Sequence, residues 1–219
     1  MDTVEIPSKI LVRDKDAASL KTSFIRSTLS SITQQESAKQ STTWESILGY
    51  TPDWQTVNSK LWKTPVPSKF RDTAWLICRN SHFTGELALK SSSTRIPSHC
   101  KCGQLETQQH IFLDCPLAQE VWHWIRDKWS SISSDSFHPP SLSTLALAGY
   151  DLPPSSPSWH KSLRQILYMC AVHAIWIGRC RNVYGESSSP YVGDLIVNVR
   201  RVKRLLAKVN PNLRGQHLL

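Results

Sequence analysis

Four side chains able to bind a metal fall within one stretch of sixteen residues: Cys100, Cys102, His110 and Cys115. Thiolate and imidazole are donors zinc prefers, taken four at a time in a tetrahedron. Bringing this set together requires the chain to fold back on itself, and Gly103 accepts the backbone angles such a turn needs. Cys115 directly precedes Pro116, a residue suited to the first position of a helix, where its missing N–H costs nothing. With three thiolates bound, the site would carry a net charge of about −1. Structural zinc sites usually separate their first ligand pair by two to four residues, whereas only Lys101 stands between Cys100 and Cys102. His99 and Cys102 have two residues between them. Two ligand sets therefore remain open: Cys100, Cys102, His110 and Cys115, which we prefer, or a set in which His99 substitutes for Cys100. The alternative to both is a cluster that binds no metal.

The compartment bears on how the six cysteines are read. The start of the chain, Met1 to Lys9, has acidic residues and no apolar run, so no signal peptide is expected. No stretch reaches the roughly 18 apolar residues of a membrane span. An intracellular setting, nuclear or cytoplasmic, follows as the expectation; thiols stay reduced there, and clustered Cys and His point to metal rather than disulfides. The formal charge of +9 suits a polyanionic partner, RNA or DNA, without requiring one.

Helical periodicity organises much of the rest. Leu20, Phe24, Ile25, Leu29 and Ile32 suggest one amphipathic helix within a polar segment, 1–43. Residues 44–65 read as irregular, with Gly49, Pro52 and Pro65 as breakers. Ser68 is placed as the cap of a helix running to about Asn80, and Thr84 as the cap of a shorter one carrying Leu87 and Leu89. After Pro116, the residues Ala118, Val121, Trp122, Ile125 and Trp129 repeat at helical spacing. Residues 130–158 hold ten serines and five prolines and read as a linker or surface loop, with Leu142 to Leu147 as a short packed segment within it. Leu163 to Ile177 form the next stripe, ending near Gly185. A last helix begins near Asp194 and stops at Pro211. The fold class expected is mainly α: a small helical protein built around a zinc-knuckle-like loop. Its parts are 1–43, a metal module at 44–129, the linker 130–158, a helical pair at 159–210 and a tail, 211–219.

The residues around the cluster resemble the zinc-binding domain of the reverse transcriptases of non-LTR, LINE-type retrotransposons. Leu61-Trp62-Lys63, Pro67-Ser68-Lys69-Phe70-Arg71, Ala74-Trp75 and Arg79-Asn80 are similar to that family's approach to the site. Cys100-Lys101-Cys102-Gly103, Glu106-Thr107, His110-Ile111-Phe112, Cys115-Pro116 and Val121-Trp122 are similar to its metal core. Ala174-Ile175-Trp176-Ile177, Arg179 and Arg181-Asn182-Val183-Tyr184 look like its closing helix. Many relatives place two residues between the first cysteines, so Lys101 is a departure. The resemblance implies a zinc-bound accessory module that holds RNA or target DNA, and not the polymerase itself. No Tyr/Phe-x-Asp-Asp motif occurs in the chain, so a detached or domesticated piece of such an element is expected.

Candidate phosphate contacts are Lys63, Lys69, Arg71, Arg79, Lys90, Arg95 and Lys101 near the cluster, with Arg200, Arg201, Lys203 and Arg204 on the last helix. That helix also resembles a short nuclear import signal; the plain alternative is a solvated face. Trp122, His123 and Trp124 can stack on bases or pack in a core. Cys78, Cys170 and Cys180 read as packed thiols. Cys180, flanked by Arg179 and Arg181 with His173 a turn or two away, is the one loose candidate for a nucleophile, and no enzyme is expected. Two further readings stand beside nucleic-acid binding: a zinc-stapled scaffold that docks a protein partner through its C-terminal helices, and a retroelement remnant without function.

Overall fold

The computed structural model describes residues 11–12, 15–16, 44–92, 96–131, 137–151, 158–185 and 190–209, and the fold is mainly α. The chain divides into two units, Met1–Thr43 and Trp44–Leu219. In the first, Leu11–Val12 pairs with Lys15–Asp16 as a two-residue antiparallel ladder. The helix expected over Leu20 to Ile32 lies outside the described residues.

The second unit holds seven helices among its described residues, besides a helical turn at 44–48: α1 Trp54–Lys63, α2 Ser68–Cys78, α3 Gly85–Lys90, α4 Pro116–Ser130, α5 Leu142–Ala146, α6 Ser158–Tyr184 and α7 Tyr191–Val209. Helix α1 corrects the expectation of irregular chain between residues 44 and 65. Gly49 and Pro52 do interrupt the backbone, but Asp53 then caps a new helix by accepting the Thr56 N–H at 3.0 Å. Nothing between Trp54 and Lys63 breaks it. Helix α2 starts with Ser68 as its first helical residue, with Pro67 rather than Ser68 at the cap. It ends where Asn80 turns left-handed at φ 48°, a conformation Asn tolerates better than most residues. Thr84 caps α3 by accepting the Leu87 N–H, and Pro116 opens α4, both as the spacing predicts.

Helix α6 is the axis of this unit. Residues from Leu167 to Ile175 are buried without a break, His173 included, so α6 is covered on all sides rather than along one stripe. Helices α2, α4 and α7 each pack against it. The α6–α7 contact is close because Gly178 leaves room for the Tyr191 ring; a Cβ there would lie 2.2 Å from the ring. Residues 130–158 contribute to the same core: Thr144 to Gly149 are buried, and Cys78 Sγ donates to the Leu145 carbonyl at 3.6 Å. The Ser141–Thr144 capping box starts α5 within the Ser/Pro-rich stretch.

Candidate metal centre

The metal-binding side chains come from three pieces of backbone. The first is a short hairpin. Ser98 O accepts from Glu106 N at 3.0 Å, Cys100 N donates to Gln104 O at 2.9 Å, and His99 bridges Leu105 in antiparallel fashion. Gly103 closes the turn at φ 87°, donating its N–H to Cys100 O at 2.9 Å. This hairpin carries Cys100 and Cys102. The second piece is one π-helical turn, His110–Asp114, anchored by the Thr107 hydroxyl accepting the His110 N–H at 3.0 Å. The third is the start of α4, where Cys115 occupies the N-cap position and its carbonyl accepts from Ala118 and Gln119.

These pieces aim four donor atoms at one point. The ligand atoms of Cys100, Cys102, His110 and Cys115 all lie within 4.8 Å of one another. Cys100 Sγ and Cys115 Sγ are 3.9 Å apart, and Cys102 Sγ lies 3.2 Å from His110 Nε2. A tetrahedron with zinc–sulfur bonds of about 2.3 Å has sulfurs about 3.8 Å apart, so the spacing and the donor chemistry both fit zinc. His99 is exposed and pairs through Nδ1 with the Ser98 hydroxyl at 2.9 Å, outside this group. Of the two ligand sets left open by the spacing, the geometry brings together the one with Cys100. The single-residue spacing works because Cys100 sits on the hairpin strand and Cys102 on its turn.

Local electrostatics favour thiolate at Cys115. Its pKa is pulled down to about 7 by the hydrogen bond from the Cys100 thiol, against burial, with help from the N–H groups of Leu117 and Ala118 at the start of α4. The same contact with Cys115, together with burial, pushes the Cys100 thiol up to about 12. Deprotonated sulfur is the form a metal binds.

A buried ion pair fastens this centre to α6. Glu106, at the base of the hairpin, takes both arms of the Arg179 guanidinium, with Nε–Oε1 at 2.9 Å and Nη2–Oε2 at 2.5 Å. Both side chains are at most 7 % exposed. Glu106 Oε2 also accepts the Gly85 N–H at 2.9 Å, which draws α3 against the hairpin. Gly85 is required there, since a Cβ would come within 2.4 Å of the Ser98 carbonyl oxygen. Lys101 Nζ reaches Asn182 Oδ1 at 3.5 Å, and Asn182 donates to the Tyr191 hydroxyl at 2.9 Å. Burial raises the Tyr191 pKa, and the sulfurs of Cys115 and Cys100 add to the effect, so this ring sits near the cluster. The family resemblance singles out Glu106 and Arg179 separately, but nothing in the sequence pairs them, because 73 residues separate the two.

The basic candidates separate into two groups. Arg71 donates to the Trp62 carbonyl at 3.0 Å, closing the end of α1; Arg79 lies over the Trp75 ring at 4.8 Å; Lys90 pairs with Glu86 at 2.6 Å. These three have intramolecular work. Lys63, Lys69, Lys101, Arg200, Arg201 and Arg204 are exposed, Lys203 is half-buried, and Arg95 lies outside the described residues. Trp122 is buried and donates its indole N–H to Phe112 O at 2.8 Å, so it packs rather than stacks; Trp124 is half-buried under Lys128, and His123 is exposed. Cys78 is buried with its thiol pushed up to about 12, and burial also raises Cys170 and Cys180. Arg179, beside Cys180, is committed to Glu106, and His173 is paired with Thr73.

Among the described residues no helix is long and apolar enough to cross a membrane. No curated protein and no solved structure matches the chain. Residues 39–122 match the model of a protein family described as zinc-binding in reverse transcriptase, a segment that contains all four converging ligands and ends within α4.

Proposed function

We propose that the chain is a zinc-stabilised accessory module that binds nucleic acid, of the type found in retroelement reverse transcriptases of the LINE class. The observation that carries this reading is the convergence of Cys100, Cys102, His110 and Cys115 at tetrahedral spacing within the matched segment. Zinc at this point would fix the hairpin, the π turn and the start of α4 together, supplying folding energy rather than chemistry. The exposed basic residues and the +9 charge support a polyanionic partner. On the outward face of α7, the exposed Val197 and Leu205 are interspersed with Arg200, Arg201 and Arg204, so the cations interrupt any continuous apolar patch there. That arrangement favours nucleic acid over a protein-docking scaffold.

Two measurements test the reading. Metal analysis of the purified, folded protein should return one zinc per chain; less than half an equivalent would reject the metal centre. Binding to a single-stranded RNA oligonucleotide should weaken steeply with salt, the logarithmic slope being about −0.7 per neutralised phosphate. A flat salt dependence, or no binding at low salt, would reject the nucleic-acid role while leaving the metal centre standing.

A further inference from the structure

Contacts to α6 fix the register of α2 and α7, and that register brings basic side chains of both to one level along α6. Thr64 donates to Gln165 at 2.7 Å and Thr73 pairs with His173 at 2.9 Å, so α2 runs in the same direction as α6. Lys69 then lies level with Met169 and Cys170. Helix α7 runs the opposite way, with Tyr191 against Gly178 and Asn198 donating to the Cys170 carbonyl at 3.2 Å. Arg201, one turn beyond Asn198, reaches the same level, because helical side chains tilt back toward the N-terminus of their own helix. The floor between them is His173, buried beneath the Phe70 ring at a centroid distance of 4.5 Å. Lys69 and Arg201 are exposed, and both their charges act on the His173 imidazole. Among the described residues no ion pair engages Lys69, Arg200, Arg201 or Arg204. The nearby acid on α7, Asp194, is held by Arg181 at 2.7 Å.

Resting on the nucleic-acid reading above, we infer that the groove between α2 and α7, walled by Lys69 and Arg201, is where a single-stranded phosphodiester backbone lies, continuing over Arg200 and Arg204. Charge complementarity selects this occupant. Two exposed cations from different helices stand at one level of α6, neither of them in an ion pair among the described residues, whereas an apolar or cationic partner would leave both charges desolvated and unpaired.

The test uses the full zinc-loaded chain and labelled single-stranded RNA and DNA oligonucleotides of mixed sequence. K69Q/R201Q is compared with R126Q/K128Q, which removes the same charge from exposed positions of α4. The groove pair should weaken binding roughly tenfold and reduce the magnitude of the salt slope by about 1.4, while the α4 pair changes affinity less than about twofold. Zinc content and thermal unfolding confirm that both variants fold. Acetylation of the unmutated protein gives an independent reading: nucleic acid should shield Lys69 and leave Lys128 reactive. Equal losses in the two double variants, or equal labelling of Lys69 with and without nucleic acid, overturn the groove while the nucleic-acid reading stands. Failure of the unmutated chain to bind either oligonucleotide at low salt overturns both. Comparing the RNA and DNA arms identifies which strand the groove takes.

Discussion

At the scale of single residues, two positions carry most of the information about the centre. His99 and Cys100 are neighbours in sequence, yet only Cys100 faces the other three ligands. His99→Ala should therefore retain one zinc per chain, whereas Cys100→Ser should lower zinc affinity by at least about tenfold, the scale of losing a ligand or its close support. A competition titration against a chelating dye checks both, and loss of zinc on replacing His99 would reverse the ligand assignment. Glu106 and Arg179 are the second case. Breaking a buried pair strands a charge, which costs about 3–5 kcal/mol. Arg179→Met leaves the Glu106 carboxylate buried with only the Gly85 N–H to meet it. Its urea midpoint should fall accordingly, measured with zinc present, and an unchanged midpoint would show that solvent already reaches the pair.

At the scale of elements, the hairpin at 98–106 and the π turn have few backbone hydrogen bonds of their own and depend on what joins them. The long helices differ, since α6 is buried along its middle and α7 rests on it. Removing the metal should therefore act locally. Hydrogen exchange after chelation should speed up in residues 98–119, while the amides of α6 from Leu167 to Ile175 stay protected. Collapse of protection across α6 as well would mean that the metal holds the whole unit and not only its edge. The first helix, α1, shows what a cap can do: Gly49 and Pro52 suggest irregular chain, yet Asp53 caps a helix that begins at the next residue, Trp54.

At the scale of the whole molecule, stability should depend on pH through two buried histidines. Burial lowers His82 to about 4, with the Arg179 charge adding to it, and burial lowers His173 to about 4, with Lys69 and Arg201 adding. Each ring stays neutral in the folded chain, while its unfolded counterpart protonates near 6.5. Between these values the unfolded state binds more protons, so stability is fully present above pH 6.5 and declines as pH falls toward 4. The slope reaches about 1.4 kcal/mol per pH unit for each ring. Proton competition at the metal acts in the same direction, so the comparison is with His82→Phe, whose unfolding free energy should fall less steeply between pH 7 and 5. Parallel curves for the two proteins would show that His82 does not contribute.

The ligand types, the turn at Gly103, the helix starting at Pro116 and the apolar stripes of α4, α6 and α7 could be read from residue order, because each depends on neighbours a few positions away. The choice of Cys100 over His99, the closure of the hairpin by Glu106 and Arg179, and the meeting of Lys69 with Arg201 could not. The first depends on which way the hairpin strand at 98–100 turns its side chains; the other two depend on which helices pack together and in what register, through contacts such as Glu106–Arg179 and Thr73–His173 that join residues 73 and 100 positions apart. Chemistry was written in the order of residues; its orientation was decided by the burial of α6, around which the other described helices of this unit had to arrange their charged side chains.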